Sequence, residues 1–175
     1  MTLEEVIAGV RAGERRAIGR AISLVERLGP DGRALAAALH PSTGRAWRGG
    51  GTGAPCMGTN KLIRPPVGPP RSAGRTVAIV SVDPTSPFTR GAVLGDRIRL
   101  TEHFLDPGVF IRSMASRGHL GGLAEATADA VLVLDAAGFD VVLVETVGSG
   151  QNEVEVQTLT ETVVLALMPG SGDGV

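Results

Sequence analysis

The chain has 175 residues, enough for one domain with a buried core, and 43% hydrophobic against 20% charged residues exclude intrinsic disorder. A formal net charge of -1, with arginines and acidic residues interleaved, excludes a basic nucleic-acid face and an electrostatic anchor to anionic lipid. The single cysteine, Cys56, excludes an intramolecular disulfide framework and a multi-cysteine zinc site.

The first forty residues predict helices. Val6, Ile7 and Val10, then Ile18, Ile22, Val25 and Leu28, recur at three- and four-residue spacing. Gly29-Pro30 breaks the second helix, Asp31 is placed to cap a third through Ala34, Leu35 and Leu39, and Pro41 stops it. The opening stretch, MTLEEVIAGVRAGERR, has no apolar run before a cleavage site, and nowhere do ~18 apolar residues run uninterrupted. The expectation is a soluble cytoplasmic protein with neither nucleic acid nor membrane as partner.

Residues 47–74 read WRGGGTGAPCMGTNKLIRPPVGPPRSAG. Each proline inside a helix costs ~3 kcal/mol, so a regular helix through Pro65, Pro66, Pro69 and Pro70 is not expected. From Arg75 the pattern changes. Residues 76–82 form a β-branched run between Gly74 and Asp83-Pro84, and residues 139–145 and 162–168 form two further apolar runs. A helix over 122–137, capped by Gly138, separates the first two of these from each other. Strands alternating with helices predict an α/β fold with a mainly parallel sheet, and in such sheets ligands bind at the carboxyl ends of the strands. Asp83 and Glu145 fall at those ends.

Three segments carry chemistry. Gly53-Ala54-Pro55-Cys56-Met57-Gly58 has the glycine spacing of a phosphate loop, G-x-x-x-x-G-K-[ST], whose backbone N–H groups curl round phosphates. The next positions are Thr59 and Asn60 rather than Lys and Ser/Thr, and Lys61 comes two residues late; a flexible glycine-rich turn is the alternative. In VDPTSPFTRGAVLGDRIRL, Asp83 and Asp96 lie across a Gly/Pro/Thr-rich loop, and two converging carboxylates suit a hydrated Mg²⁺. An Asp-Pro turn at Asp83 and a helix N-cap at Asp96 are the alternatives. In VETVGSGQNE, Glu145 ends an apolar strand before a glycine-rich loop, and Gln151 is placed to orient a water; a strand-to-helix turn capped by Asn152 is the alternative. His103 and His119 lack metal-ligand spacing, Cys56 has no histidine near it, and Arg90 and Arg112 fit solvated surface better than phosphate contact.

From about residue 14 onward the chain resembles the MeaB/ArgK family of P-loop GTPases. The resemblance is carried by AISLVER, HPSTGRA, VDPTSPFTRGAVLGDRIRL, FIRSMASRGHLGGLAEAT, AAGFDVVLVETVGSGQNEVEV and LALMPGSGDGV. It implies a P-loop NTPase-type, mainly parallel sheet with helices on both faces. An α-helical N-terminal extension over residues 1–44 would precede a GTPase domain over 45–175. It implies GTP or GDP at Gly53, Ala54, Pro55, Cys56, Met57, Gly58, Thr59 and Asn60, and Mg²⁺ near Asp83, Asp96 and Glu145. The roles it implies in hydrolysis fall to Asp96, Glu145 and Gln151. The family's members are chaperones of adenosylcobalamin-dependent mutases of the methylmalonyl-CoA mutase type, and they form homodimers through a C-terminal arm. They have also been labelled transport-system kinases.

The chain departs from the family pattern in three places. Thr59 stands in the lysine slot and Asn60 in the Mg²⁺-hydroxyl slot; Asn offers a carbonyl oxygen, but Thr cannot replace a charge. Prolines occupy the first crossover helix, and family-like sequence resumes in step at Arg71-Ser72-Ala73-Gly74, the pattern of a locally frame-shifted copy across 56–70. The sequence closes at PGSGDGV, before an N-K-x-D base-reading segment and before the dimer arm. A GTP-hydrolysing mutase chaperone, a non-hydrolysing remnant that binds weakly, and an ATP-dependent transport kinase are the three functional readings.

Overall fold

The structure is a computed structural model that describes residues 1–53, 67–84, 105–116, 120–146 and 152–166. Three helices come first: α1 (Leu3–Arg11), α2 (Arg15–Val25) and α3 (Pro30–Leu39). Thr2 and Glu5 close a reciprocal capping box at the start of α1, satisfying amides that have no partner within the helix. Helix α3 starts differently from the expectation. Its N-cap is Gly29, Pro30 is at the first helical position, and Asp31 lies inside the first turn. A proline there loses nothing, since its missing N–H would have had no acceptor, and Asp31 favours the positive end of the helix dipole without capping it.

Five strands follow: β1 (Trp47–Gly53), β2 (Val77–Pro84), β3 (Val109–Ser116), β4 (Val141–Thr146) and β5 (Thr162–Ala166). They form one sheet in the order β3-β2-β4-β1-β5, and every neighbouring pair is parallel. Helix α4 (Leu120–Ala136) links β3 to β4, and α5 (Asn152–Leu159) links β4 to β5. Gly138 ends α4 as expected, at φ 88°, with its N–H donating to the Asp135 carbonyl at 2.9 Å.

Alternation along β2 and β4 divides the core. Ala78, Val80, Val142 and Val144 join Ile18, Ile22, Leu35, Leu39, Ala130 and Leu134 in one cluster, so α1–α3 and α4 pack on the same side of the sheet. Val77, Ile79, Val141 and Leu143 face the other way and pack with Val67 and Val109. The second face thus meets Val67, which lies in the helical residues 67–72. Two arginines tie the N-terminal helices to β3. Arg15 donates to the carbonyls of Pro107 and Val109 and lies over the Phe110 ring, and Arg112 reaches Glu26 at 2.5 Å and Ser23 at 3.1 Å. Arg112 is thus an internal ion-pair partner rather than solvated surface.

Four other expectations change. Strands β1 and β3 were not predicted. Residues 67–72 are helical and include Pro69 and Pro70, while Pro65 and Pro66 lie outside the described residues. Pro69 and Pro70 are thus accommodated in helical backbone, against the expectation from their cost inside a helix. Finally, β5 is not a buried strand but an edge, with Val164 and Leu165 49% and 51% exposed. Among the described residues no helix is long and apolar enough to cross a membrane.

Candidate functional site

The carboxyl ends of β1, β2 and β4 come together in the middle of the sheet. Register places Glu145 beside Gly51 on one neighbour and Ser81 on the other, with Thr146 beside Val82. Asp83 follows Val82 in β2, and Gly53 is the last residue of β1. Gly53, Asp83 and Glu145 therefore lie within two rungs of one another at the same end of the sheet.

The remaining predicted residues lie outside the described residues: Ala54, Pro55, Cys56, Met57, Gly58, Thr59 and Asn60, together with Asp96 and Gln151. Lys61, Arg90, His103 and His119 do so as well.

Glu145 is 1% exposed, and the Ser81 hydroxyl donates to its Oε2 at 3.5 Å. The Glu145 side chain is therefore enclosed by protein and touches β2 through Ser81. On the opposite face of the sheet, Thr146 Oγ1 donates to Thr52 Oγ1 at 2.9 Å, and both residues are buried. The strand ends thus carry a polar layer of Thr52, Ser81, Glu145 and Thr146 beneath the candidate site. Sequence reasoning picked out Glu145 alone. The signal for Thr52 and Thr146 was present: each is a hydroxyl residue at a strand end, immediately before a glycine-rich stretch.

Strand β1 owes its glycines to close packing. A Cβ on Gly50 would sit 2.3 Å from Val156 Cγ1 of α5 and 2.9 Å from Thr160 Oγ1. The helix following β4 therefore lies directly on the strand that leads into the glycine frame. The entry to β1 is held by another buried group. Asp135, at the end of α4, accepts from the backbone amides of Gly44 at 2.7 Å, Arg45 at 3.2 Å and Ala46 at 3.1 Å. This gives the HPSTGRA segment a physical role, since its last residues are clamped to α4 just before the strand begins.

Two described carboxylates with shifted pKa values, Glu161 and Asp129, lie away from this end. Burial raises the Glu161 carboxyl pKa, but hydrogen bonds from Arg48 outweigh it and hold the group below its ordinary value. Burial, then the nearby Glu125, pushes Asp129 up. A cavity of about 270 Å³, lined in part by His40, Thr43, Arg48, Leu159 and Glu161, opens at the amino ends of β1 and β5, opposite the candidate site. Among the described residues no group of three or more His, Cys, Asp or Glu could hold a metal ion.

Residues 18–175 match the family described as Methylmalonyl Co-A mutase-associated GTPase MeaB. The chain belongs to this family. It is 50% identical over 173 residues to a candidate GTPase of Pyrococcus abyssi, covering 99% of this chain and 53% of that protein. GTPase ArgK of Escherichia coli is 38% identical over 176 residues, covering 98% of this chain and 53% of ArgK. The Caenorhabditis briggsae protein named methylmalonic aciduria type A homolog, mitochondrial, is 34% identical, covering 98% and 45%. The crystal structure of LAO/AO transport system kinase superposes with a TM-score of 0.71 at 31% identity, covering 95% of this chain and 50% of that one. The chain thus spans about half the length of the relatives it matches. The MeaB family's GTPase and nucleotide-binding character accords with three strand ends converging where a parallel α/β sheet binds its ligands.

Proposed function

We propose that this chain is the nucleotide-binding portion of a GTPase that serves as chaperone to an adenosylcobalamin-dependent mutase of the methylmalonyl-CoA mutase type. The observation that carries the reading is the convergence of Gly53, Asp83 and Glu145 at one end of the sheet, in a chain matched to a mutase-associated GTPase family from residue 18 to 175. Gly53 to Asn60 would cradle the phosphates through backbone N–H groups. Hydrolysis would proceed by positioning, with Gln151 orienting the attacking water and Asp96 and Glu145 ordering the groups around the transferred phosphoryl. The donor chemistry suits Mg²⁺, a hard cation taking few protein ligands: Asp83, Asp96 and Glu145 supply carboxylate oxygens, and Asn60 offers an amide carbonyl. When bound, the ion would neutralise phosphate charge. On this reading the protein works in the cytoplasm as a homodimer.

A second reading rests on Thr59 and Asn60. Without the lysine, a charge-assisted phosphate contact is lost, and the chain becomes a non-hydrolysing module. Calorimetric titration with GTP, GDP and ATP, with and without Mg²⁺, separates the readings. Micromolar GTP binding supports the GTPase portion, no binding supports the module, and an ATP preference supports a transport-system kinase. The double substitution Thr59→Lys/Asn60→Ser should tighten GTP binding while leaving it short of an intact site, because the prolines remain; unchanged affinity would count against residues 53–60 as the phosphate loop.

A further inference from the structure

Thr52 and Thr146 have no part in the chemistry proposed above, yet both are buried hydroxyls at strand ends. They are 2% and 3% exposed, and their hydroxyls are 2.9 Å apart. Thr52 is next to last in β1, and Thr146 is last in β4. The backbone register between these strands runs from Trp47–Val141 to Gly51–Glu145, so the hydroxyl pair stands one rung beyond its last member. Both side chains lie on the face that carries α5, because Gly50, two residues before Thr52, meets Val156, and Val144, two before Thr146, belongs to the same cluster.

Valine would fill either position with equal β-propensity and no desolvation cost. Here the Thr146 hydroxyl donates to the Thr52 hydroxyl across the two strand ends. We propose that the Thr52–Thr146 hydrogen bond is a positioning latch that fixes the exit of β1 against the exit of β4. It holds in register the two strands that lead to the phosphate-binding and switch segments. The proposal rests on the nucleotide reading for its functional consequence. The latch itself stands on the geometry.

The test uses the whole chain with Thr52→Val, Thr146→Val, the double valine variant, and the serine variants Thr52→Ser and Thr146→Ser. Amide hydrogen exchange reads the latch without nucleotide. Thr52→Val should speed exchange of peptides ending at Glu145–Thr146 about tenfold, and Thr146→Val should do the same at Thr52–Gly53, because each change frees the opposite strand end. Serine retains the hydroxyl and should stay within about twofold of the parent; the double variant should be no worse than either single one. GTP titration reads the consequence, with the Kd expected to rise about tenfold in each valine variant and to recover in serine. Exchange changes confined to the substituted strand, serine variants as impaired as valine, or additive singles would each overturn the latch. Faster exchange with unchanged GTP affinity would overturn its positioning role. A parent chain that binds no GTP refutes the nucleotide reading and the positioning role with it, while the exchange result still decides whether the strands are latched.

Discussion

Removing the Asp135 carboxylate should destabilise the fold more than any other single polar change among the described residues. Its two oxygens take three backbone N–H groups, from Gly44, Arg45 and Ala46, at 2.7 to 3.2 Å, and the residue is 5% exposed. Hydrogen bonds to a charged acceptor contribute ~1.5–3 kcal/mol each, and donors left buried without a partner add to the loss. The loop is only partly buried, so the lower end applies, and Asp135→Ala should cost about 3–5 kcal/mol. That is a large share of the ~5–15 kcal/mol available to a domain. Asp135→Asn separates charge from count. One oxygen, Oδ1, already serves Arg45 and Ala46, so an asparagine carbonyl there preserves both bonds. Its amide group would then face the Gly44 N–H, donor against donor, for a loss of about 1–2 kcal/mol. Urea unfolding followed by far-ultraviolet circular dichroism measures both, provided the slopes agree. If Asp135→Ala costs under about 1 kcal/mol, the clamp does not hold the entry to β1, and the reasoning fails.

Gly50→Ala should cost about 1–3 kcal/mol in thermal unfolding, because its Cβ would overlap the stiff, buried Val156; a neutral change would mean α5 can shift away from β1. The backbone N–H and then the hydroxyl of Thr76 hold the Asp140 carboxyl below its ordinary range. A carboxyl depressed on folding stabilises above its unfolded pKa, about 3.9, and loses that contribution as pH falls through the folded value. Asp140→Asn should therefore flatten the stability profile below about pH 4, and an acid limb as steep as the parent's would contradict the assignment. Arg112→Leu should lower stability by about 1–2 kcal/mol, since the part-buried Glu26 loses its ion pair, while nucleotide affinity stays unchanged. An altered GTP Kd in that variant would place Arg112 in the site after all.

Two of the three strands that the sequence revealed are buried continuously. Val77 to Val82 and Val141 to Val144 are buried on both faces of a parallel sheet, and such strands read as unbroken apolar runs. Strand β3 is at the sheet edge, and Arg112 interrupts its run because it meets Ser23 of α2 and Glu26 just beyond it through polar contacts. Strand β5 misled in the opposite sense. Its apolar run is as continuous as that of a central strand, but hydrophobicity does not report which strand lies outermost, and Val164 and Leu165 are half exposed. Single polar residues divide in the same way. Asp83 and Glu145 were legible because a carboxylate closing an apolar run is conspicuous, whereas Asp135 looked like any polar residue late in a helix. Its three acceptor contacts reach 89 to 91 residues back along the chain, a separation no local pattern can signal.

Strand β1 was not legible in the sequence, although the glycine spacing that begins at its last residue was. Trp47-Arg48-Gly49-Gly50-Gly51-Thr52-Gly53 has none of the β-branched density that marks a strand, and four glycines weaken strand propensity on their own. The surroundings supply what the residues lack. Pairing with β4 on one side and β5 on the other satisfies the backbone along its length, Glu161 accepts from the Arg48 amide and side chain, and α5 occupies the space a side chain at Gly50 would take. Glycine at position 50 is thus required by packing from above, independently of the glycines at 53 and 58 that belong to the loop spacing. The two requirements run together in one glycine-rich segment, and only tertiary contact distinguishes them. Val156 of α5 packs on Gly50, two residues before Thr52, so the helix after β4 and the exit of β1 share one contact surface.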